Sequence, residues 1–366
     1  MNNAMHTAAT ATRTIGDIRV ESRPDCILCG DSGFTLYDAL LDHQYGVPGK
    51  WSLRKCRNKG CGLVWQDPMI VKDDLPRVYK SYFTHIGHSP FGSASVWSRT
   101  FAFLDRRFAL LHGLVAERIR YRYGFLDNLP PGTLLDIGCG SGDFAADMRS
   151  RGWSVRGIDA DPDAAKAATQ THGIEVDVGE LKDLAYPDGA LDVVTARHVI
   201  EHIRDPQPFV RECWRILKPG GRLVFVTPNV ASLGHRIYRD HWQGLEPPRH
   251  LFLYDTNTLR ALAIDCGVQP TAIFSTAQGA SYIFRSSERI RTGKFDAARS
   301  WPRTLLKYWF WQFQEIRKLR SGNAECGEEL VLIADKPAPA LTHANGNRIF
   351  MPEQRQQENI SGTRAC

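Results

Sequence analysis

The sequence predicts an α/β protein built on a doubly wound parallel sheet, and three observations carry that prediction. From residue 129 onward short apolar runs alternate with helical patterns, as parallel strands joined by crossover helices require. The first run, Gly132-Thr133-Leu134-Leu135, ends at Asp136 and leads through glycines at 138, 140 and 142 into a helical pattern from Phe144 to Arg151. A second run, Ser154 to Ile158, also ends on a carboxylate, Asp159. An acid at that distance beyond a glycine turn is placed to accept hydrogen bonds from ribose hydroxyls.

The turn itself narrows the ligand. Glycines permit positive φ and let a ligand approach without meeting a Cβ, and the helix start behind them offers free N–H donors. A dinucleotide fingerprint needs G-x-G-x-x-G, with pyrophosphate on the helix N-terminus. Here the last position of that fingerprint is Asp143, and the third glycine falls one residue early at Gly142. A carboxylate at this mouth repels pyrophosphate and suits a ligand with a positive end. Further on, Leu191 to Ala196 reads as a buried strand and Arg197-His198-Val199-Ile200-Glu201-His202 as the opening of a helix. Leu217-Lys218-Pro219-Gly220-Gly221 then turns into the strand from Arg222 to Asn229.

In this order and spacing the stretches resemble the class I S-adenosylmethionine (SAM) methyltransferases, over roughly residues 129 to 335. The resemblance implies a Rossmann-like, seven-stranded sheet, with strands near 133–137, 154–158, 174–177, 191–196, 222–227, 270–275 and 329–335. It implies that Asp136, Gly138, Cys139, Gly140 and Gly142 cradle the amino-acid end of SAM, with Asp159 and Ala160 at the ribose. Glu180 and Leu181 fall where the family contacts adenine, and Arg197 and His198 complete the cofactor set.

The rest of the chain attaches to this domain, since 366 residues exceed one average domain. Residues 1–22 are Ala/Thr-rich and polar and read as disordered. Residues 23–72 hold Cys26, Cys29, Cys56 and Cys61, two pairs about thirty residues apart. That spacing brings four thiolates around one zinc ion, a structural site because no coordination position stays open. A buried, inert thiol is the plainer reading for any one of them. Residues 73–128 carry apolar residues every three or four positions, a helical cap whose sticky face covers the ligand pocket or simply packs. The domain itself spans 129–336, and 337–366 reads as a polar, disordered tail.

Two segments depart from a minimal domain. Asp240 to Phe252 concentrates two prolines, two histidines and a tryptophan, and reads as a substrate lid. Within an insert at 285–323, residues 303–320 form a helix with Leu305, Leu306, Trp309, Phe310, Phe313 and Ile316 on one face and basic flanks. Such a helix suits either a membrane interface or docking on protein, and docking is the preferred reading.

Bulk properties exclude several classes. A net charge of +6 is too mild to argue for nucleic acid; no DNA partner is expected, and RNA is disfavoured. No apolar run reaches the ~18 residues of a membrane span, and Met1 to Arg13 lacks the apolar core of a secretory signal. A cytoplasmic protein is expected, with peripheral attachment to the inner membrane face as an option. Nine cysteines in a reducing compartment point to metal or packing.

The implied chemistry is methyl transfer to a small-molecule, sugar or lipid-linked acceptor, at oxygen. A hydroxyl acceptor benefits from a base, and histidine suits that role at neutral pH. His198, His202 and His250 are the candidates; the first two are expected to share a helix face, and His250 in the lid is preferred. A lone histidine is more often a packing residue. Strand four is followed by Ala196-Arg197-His198 rather than the Asn/Asp-Pro-Pro-aromatic tetrad of amino-methylating nucleic-acid enzymes. Two alternatives remain: a ribosomal- or transfer-RNA methyltransferase gripping phosphate through the four-cysteine module and insert, and a non-catalytic SAM-binding scaffold.

Overall fold

The computed structural model describes residues 12–79, 96–293, 301–322 and 325–338. The N-terminal region supplies β1 (Arg13–Ile15), β2 (Ile18–Glu21), β3 (Gly33–Leu40), β4 (Trp51–Cys56), β5 (Val64–Gln66) and β6 (Met69–Ile70). A 3₁₀ turn (Lys72–Tyr79) and the helices α1 (Val96–Leu111) and α2 (Val115–Arg122) lead to the main domain.

That domain alternates as predicted: β7 (Thr133–Ile137), α3 (Asp143–Arg149), β8 (Ser154–Asp159), α4 (Pro162–His172), β9 (Val176–Val178), β10 (Leu191–Arg197), α5 (Pro206–Ile216) and β11 (Leu217–Pro228). Then come α6 (Leu233–Tyr238), β12 (Phe252–Leu253), α7 (Thr256–Asp265), β13 (Ala272–Thr276), α8 (Ala280–Thr292), α9 (Trp301–Arg320) and β14 (Glu329–Asp335). Local chemistry sets the boundaries. Asp161 caps α4 by accepting the Asp163 amide at 3.0 Å, Pro162 opens the helix and Gly173 closes it at φ +63°. Asp255 and Thr258 form a reciprocal capping box on α7.

Seven strands form one sheet in the order β13-β14-β11-β10-β7-β8-β9. β14 runs antiparallel to both β11 and β13, and the other pairings are parallel. Central strands covered on both faces must be apolar throughout: Val193, Val194, Val224, Leu330 and Leu332 are fully buried. Each contributes about 1.5–3 kcal/mol of apolar burial. The strand order reverses between β7 and β10, so the crevice at their carboxyl ends is the natural ligand position.

The N-terminal region departs from expectation. Residues 13–21, expected to be disordered, form a β-hairpin turning at Gly16, φ +62°. Ile18 and Val20 are buried, and β2 pairs with β6; apolar residues at alternate positions make a strand even in a polar neighbourhood. Positions 1–11 lie outside the described residues, as does the expected tail from 339 on. The four-cysteine module is not separate either, because its sheet runs β12-β5-β4-β3 and β12 comes from the main domain.

Candidate functional site

The glycine turn and Asp159 meet as predicted. Gly138, Gly140 and Gly142 all adopt positive φ. At Gly138 an added Cβ would stand 2.4 Å from Val199 Cγ2, so the turn packs against the loop after β10. Asp159 ends β8; its Oδ2 accepts the Gly140 amide at 2.8 Å and its Oδ1 the Asp161 amide at 2.9 Å. Each oxygen retains a lone pair for a ligand hydroxyl. Asp136 is buried at the end of β7 and accepts from Thr195 Oγ1 at 2.7 Å. Burial pushes its carboxyl up to about 6. A buried acid in this state gains most from a cationic ligand.

The remaining cofactor candidates divide. Leu181 is buried beside Gly179, whose amide bonds the Asp159 carbonyl at 3.0 Å. Glu180 is half exposed and pairs with Lys72 at 3.2 Å and Lys182 at 3.0 Å. Against partial burial, these lysines hold its carboxyl below the ordinary range. Ala160 is exposed. Cys139 turns its sulfur inward onto Gly157, where an added Cβ would lie 2.6 Å from Sγ, so only its backbone faces the turn. The Arg197 guanidinium sits between the rings of Tyr121 and Phe144, at 4.8 and 4.7 Å from their centroids.

The three histidines fall into two clusters, and His198 and His202 do not share a helix face. His198 sits in a loop at φ +57°, while His202 ends a 3₁₀ turn, Ile200–His202. His198 Nε2 lies 3.0 Å from Glu329 Oε1, and its Nδ1 lies 3.5 Å from Glu201 Oε1. Tyr121 Oη donates to the same Glu329 oxygen at 3.0 Å. Burial alone would lower the basicity of His198, but Tyr121 and the two carboxylates outweigh it and hold the ring well above its ordinary value. This shift favours the protonated ring, which suits His198 to charge stabilisation more than to proton removal.

His202 turns the other way. Its Nδ1 lies 3.0 Å from the Arg249 carbonyl and 3.0 Å from Tyr79 Oη, and its ring meets His250 edge-on at 4.8 Å. His250 Nδ1 donates to the Gly244 carbonyl at 2.7 Å. Burial lowers both histidines to about 4, each further depressed by a basic neighbour. Both rings are therefore neutral at pH 7, with their Nδ1 hydrogens fixed on carbonyls and Nε2 left as the acceptor.

The segment carrying His250 is not a lid. Trp242, Glu246, Arg249 and His250 are all buried. Arg249 donates to Asp42 at 2.8 and 3.1 Å and to Glu246 at 3.0 Å. Asp42 belongs to the N-terminal region, so this loop is a plug that fastens that region to the domain. Its prolines and aromatics, read as lid chemistry, are packing residues.

The four predicted metal cysteines converge. Cys26 and Cys61 Sγ lie 3.6 Å apart, Cys29 and Cys56 3.4 Å apart, and all four sulfurs fall within 4.8 Å of one another. A tetrahedron of Zn–S bonds near 2.3 Å has edges of about 3.8 Å, so the set fits zinc. Two tight turns shape it, with the Gly30 amide on the Cys26 carbonyl at 2.9 Å and the Cys61 amide on the Asn58 carbonyl at 3.0 Å. Tyr79, Tyr121, Glu201 and Glu329 escaped sequence reasoning. Tyr79, Tyr121 and Glu329 reach the site through partners remote in the chain, and Glu201 reaches His198 from three residues away.

Residues 106–272 match the family model of the methyltransferase domain. The ubiquinone biosynthesis O-methyltransferase of Xanthomonas oryzae pv. oryzae is 40% identical over 126 residues, 32% of this chain and 52% of the relative. The 2-methyl-6-phytyl-1,4-hydroquinone methyltransferase of Synechocystis is 32% identical over 160 residues, 42% of this chain and 47% of the relative. The chain thus spans about half the length of the curated relatives it matches. Among solved structures, geranyl diphosphate C-methyltransferase from Streptomyces coelicolor A3(2) aligns with TM-score 0.44 and 17% identity, covering 72% of this chain and 97% of that one.

Proposed function

We propose that the methyltransferase domain carried by this chain transfers the methyl group of SAM to an oxygen of a small-molecule, sugar or lipid-linked acceptor. The observation that carries this reading is the meeting of Asp136, the glycine turn and Asp159 at the reversal point of the sheet. Asp136 would hold the positive amino-acid end of SAM, Asp159 the ribose hydroxyls, and Leu181 would give the adenine an apolar surface. The name of the Xanthomonas relative specifies O-methyl transfer, which supports oxygen as the acceptor atom.

SAM, when bound, supplies a methyl group already activated on sulfur. The protein's task is then to hold the acceptor in line and remove its proton. His202 is the base in this reading: it is neutral, partly exposed, and its Nδ1 hydrogen is fixed on the Arg249 carbonyl. His250 stacks edge-on behind it, and Tyr79 positions it. The four cysteines hold a structural zinc, and metal analysis would show one zinc per chain.

The RNA alternative loses ground because, of the basic residues Arg54, Lys55, Arg57 and Lys59 in the four-cysteine module, Arg54 is committed elsewhere: it donates to Asp67 at 3.0 Å and to the Gly33 carbonyl at 2.8 Å. The test is release of S-adenosylhomocysteine across phenols and quinols, nucleotide sugars, glycolipids and RNA. Turnover with a hydroxylated small molecule is expected. Turnover on RNA alone would overturn the proposal, and SAM binding without turnover on any acceptor would favour the scaffold reading.

A further inference from the structure

Helix α9 docks on the domain by an unexpected face. Tyr308, Gln312 and Glu315 are buried together with Ile316, the one residue of the predicted stripe that is buried among the described side chains, whereas Leu306 is 64%, Phe310 51% and Phe313 37% exposed. The side chain of Leu305, also expected on the stripe, lies outside the described residues. Positions 306, 310 and 313 follow one helical face. Helix α1 continues that face, because Phe108 stacks on Trp309 at 5.7 Å and His112 meets Phe313 at 5.0 Å. On α1, Leu110 is 54% and Leu111 81% exposed.

The charge around this surface has one sign. On the described parts of the two helices the acids are spent: Asp105 pairs with Arg118 at 2.6 Å, and Glu315 is fully buried. Arg106, Arg107, Arg317 and Arg320 are exposed. An apolar stripe with aromatic residues, rimmed by cations, is the pattern of a helix lying at an anionic lipid interface. A second copy of the chain fits worse, since a self-pairing face would set arginine against arginine. The surface also lies beside the site: the Arg118–Asp105 pair ties α1 to α2, and α2 carries Tyr121 to Glu329.

We propose that α1 and α9 together form a docking surface for anionic membranes, presenting the site to acceptors dissolved in the bilayer. The presentation of acceptors rests on the methyl-transfer reading, whereas membrane binding does not and is measured without turnover. The test is co-sedimentation of the full chain with vesicles of phosphatidylglycerol and phosphatidylcholine, or of phosphatidylcholine alone. Binding at least tenfold stronger to the anionic vesicles is expected, weakening at high salt. Leu111→Ser with Phe310→Ser is expected to cut binding tenfold or more. Arg317→Gln with Lys318→Gln removes two cations worth roughly fivefold each, so a loss of about 25-fold is expected. If the serine variant does not fold, as judged by circular dichroism, the glutamine pair decides. Equal binding to both vesicle types, or wild-type binding by the glutamine pair, would overturn the proposal. So would a native dimer that the serine variant turns into a monomer, because the surface would then belong to a second copy.

Discussion

His198 and His202 stand four residues apart, and their surroundings shift their basicity in opposite directions. Tyr121 and the carboxylates of Glu201 and Glu329 surround His198 and raise its basicity well above that of a free imidazole. Burial and a neighbouring imidazole keep His202 neutral. The loop after β10 thus splits into a half of raised basicity facing α2 and β14, and a half of lowered basicity facing the 3₁₀ turn at Tyr79 and the His250 plug. A residue's chemical competence here depends on what distant segments place around it. Under the proposed function, the His198 side suits electrostatic positioning and the His202 side proton removal.

The largest expected effect breaks that comparison directly. His202→Asn should lower kcat by roughly 10²–10⁴-fold, the usual worth of a general base, with little change in SAM affinity. His198→Asn should lower it far less. Steady-state kinetics on the acceptor found by the S-adenosylhomocysteine assay measures both, and equal losses would erase the division of labour.

A second difference lies in how each half is supported. Arg249 is fully buried between Asp42 and Glu246, and removing one member of a buried ion pair leaves an unpaired charge at a cost of about 3–5 kcal/mol. Arg249→Met should therefore lower the melting temperature sharply. On the His198 side, Tyr121→Phe deletes one hydrogen bond to Glu329, worth about 1 kcal/mol. Thermal denaturation of the two variants that showed equal shifts would contradict the assignment of Arg249 as the fastener between the N-terminal region and the domain.

The cofactor side, common to both halves, gives a smaller expected effect. Asp159→Ala removes the proposed ribose contacts and the anchor for the Gly140 amide. Two hydrogen bonds to a charged acceptor are together worth roughly 3 kcal/mol, so SAM affinity should fall about a hundredfold by calorimetry. Unchanged affinity would place the nucleoside elsewhere.

These contrasts also mark what the sequence could disclose. Each strand of the main sheet was legible, because β7, β8 and β10 are short apolar runs ending in turn or charged residues and their order follows from simple crossover rules. The glycine turn and Asp159 were legible because both are local features of one βαβ unit. The four-cysteine cluster was legible from its spacing. Long-range partners were not. Nothing in Asp240 to Phe252 signals that Arg249 will reach Asp42, and nothing at Glu329 signals that a strand start will clamp His198. The helical periodicity of α9 likewise hid its docking face, because Gln312 and Glu315 are buried while Phe310 is not.

The finest test of the two environments is titration of the imidazole signals by NMR. His202 and His250 are lowered to about 4 from an ordinary value of 6.5. Their signals should stay in the neutral form at pH 5.5, where an unperturbed histidine is mostly charged. The linkage runs accordingly. Unfolding lets both rings take protons below 6.5, so their contribution to stability is lost as pH falls from 6.5 towards 4. His198 has the opposite sign, because its raised value makes a contribution present at low pH that disappears as pH rises through that value. Its signal should stay in the charged form to a higher pH than that of an unperturbed histidine. Glu329→Gln should return it towards ordinary titration, because the carboxylate 3.0 Å from its Nε2 is gone. Three histidines titrating together near 6.5 would mean that neither cluster exists in solution.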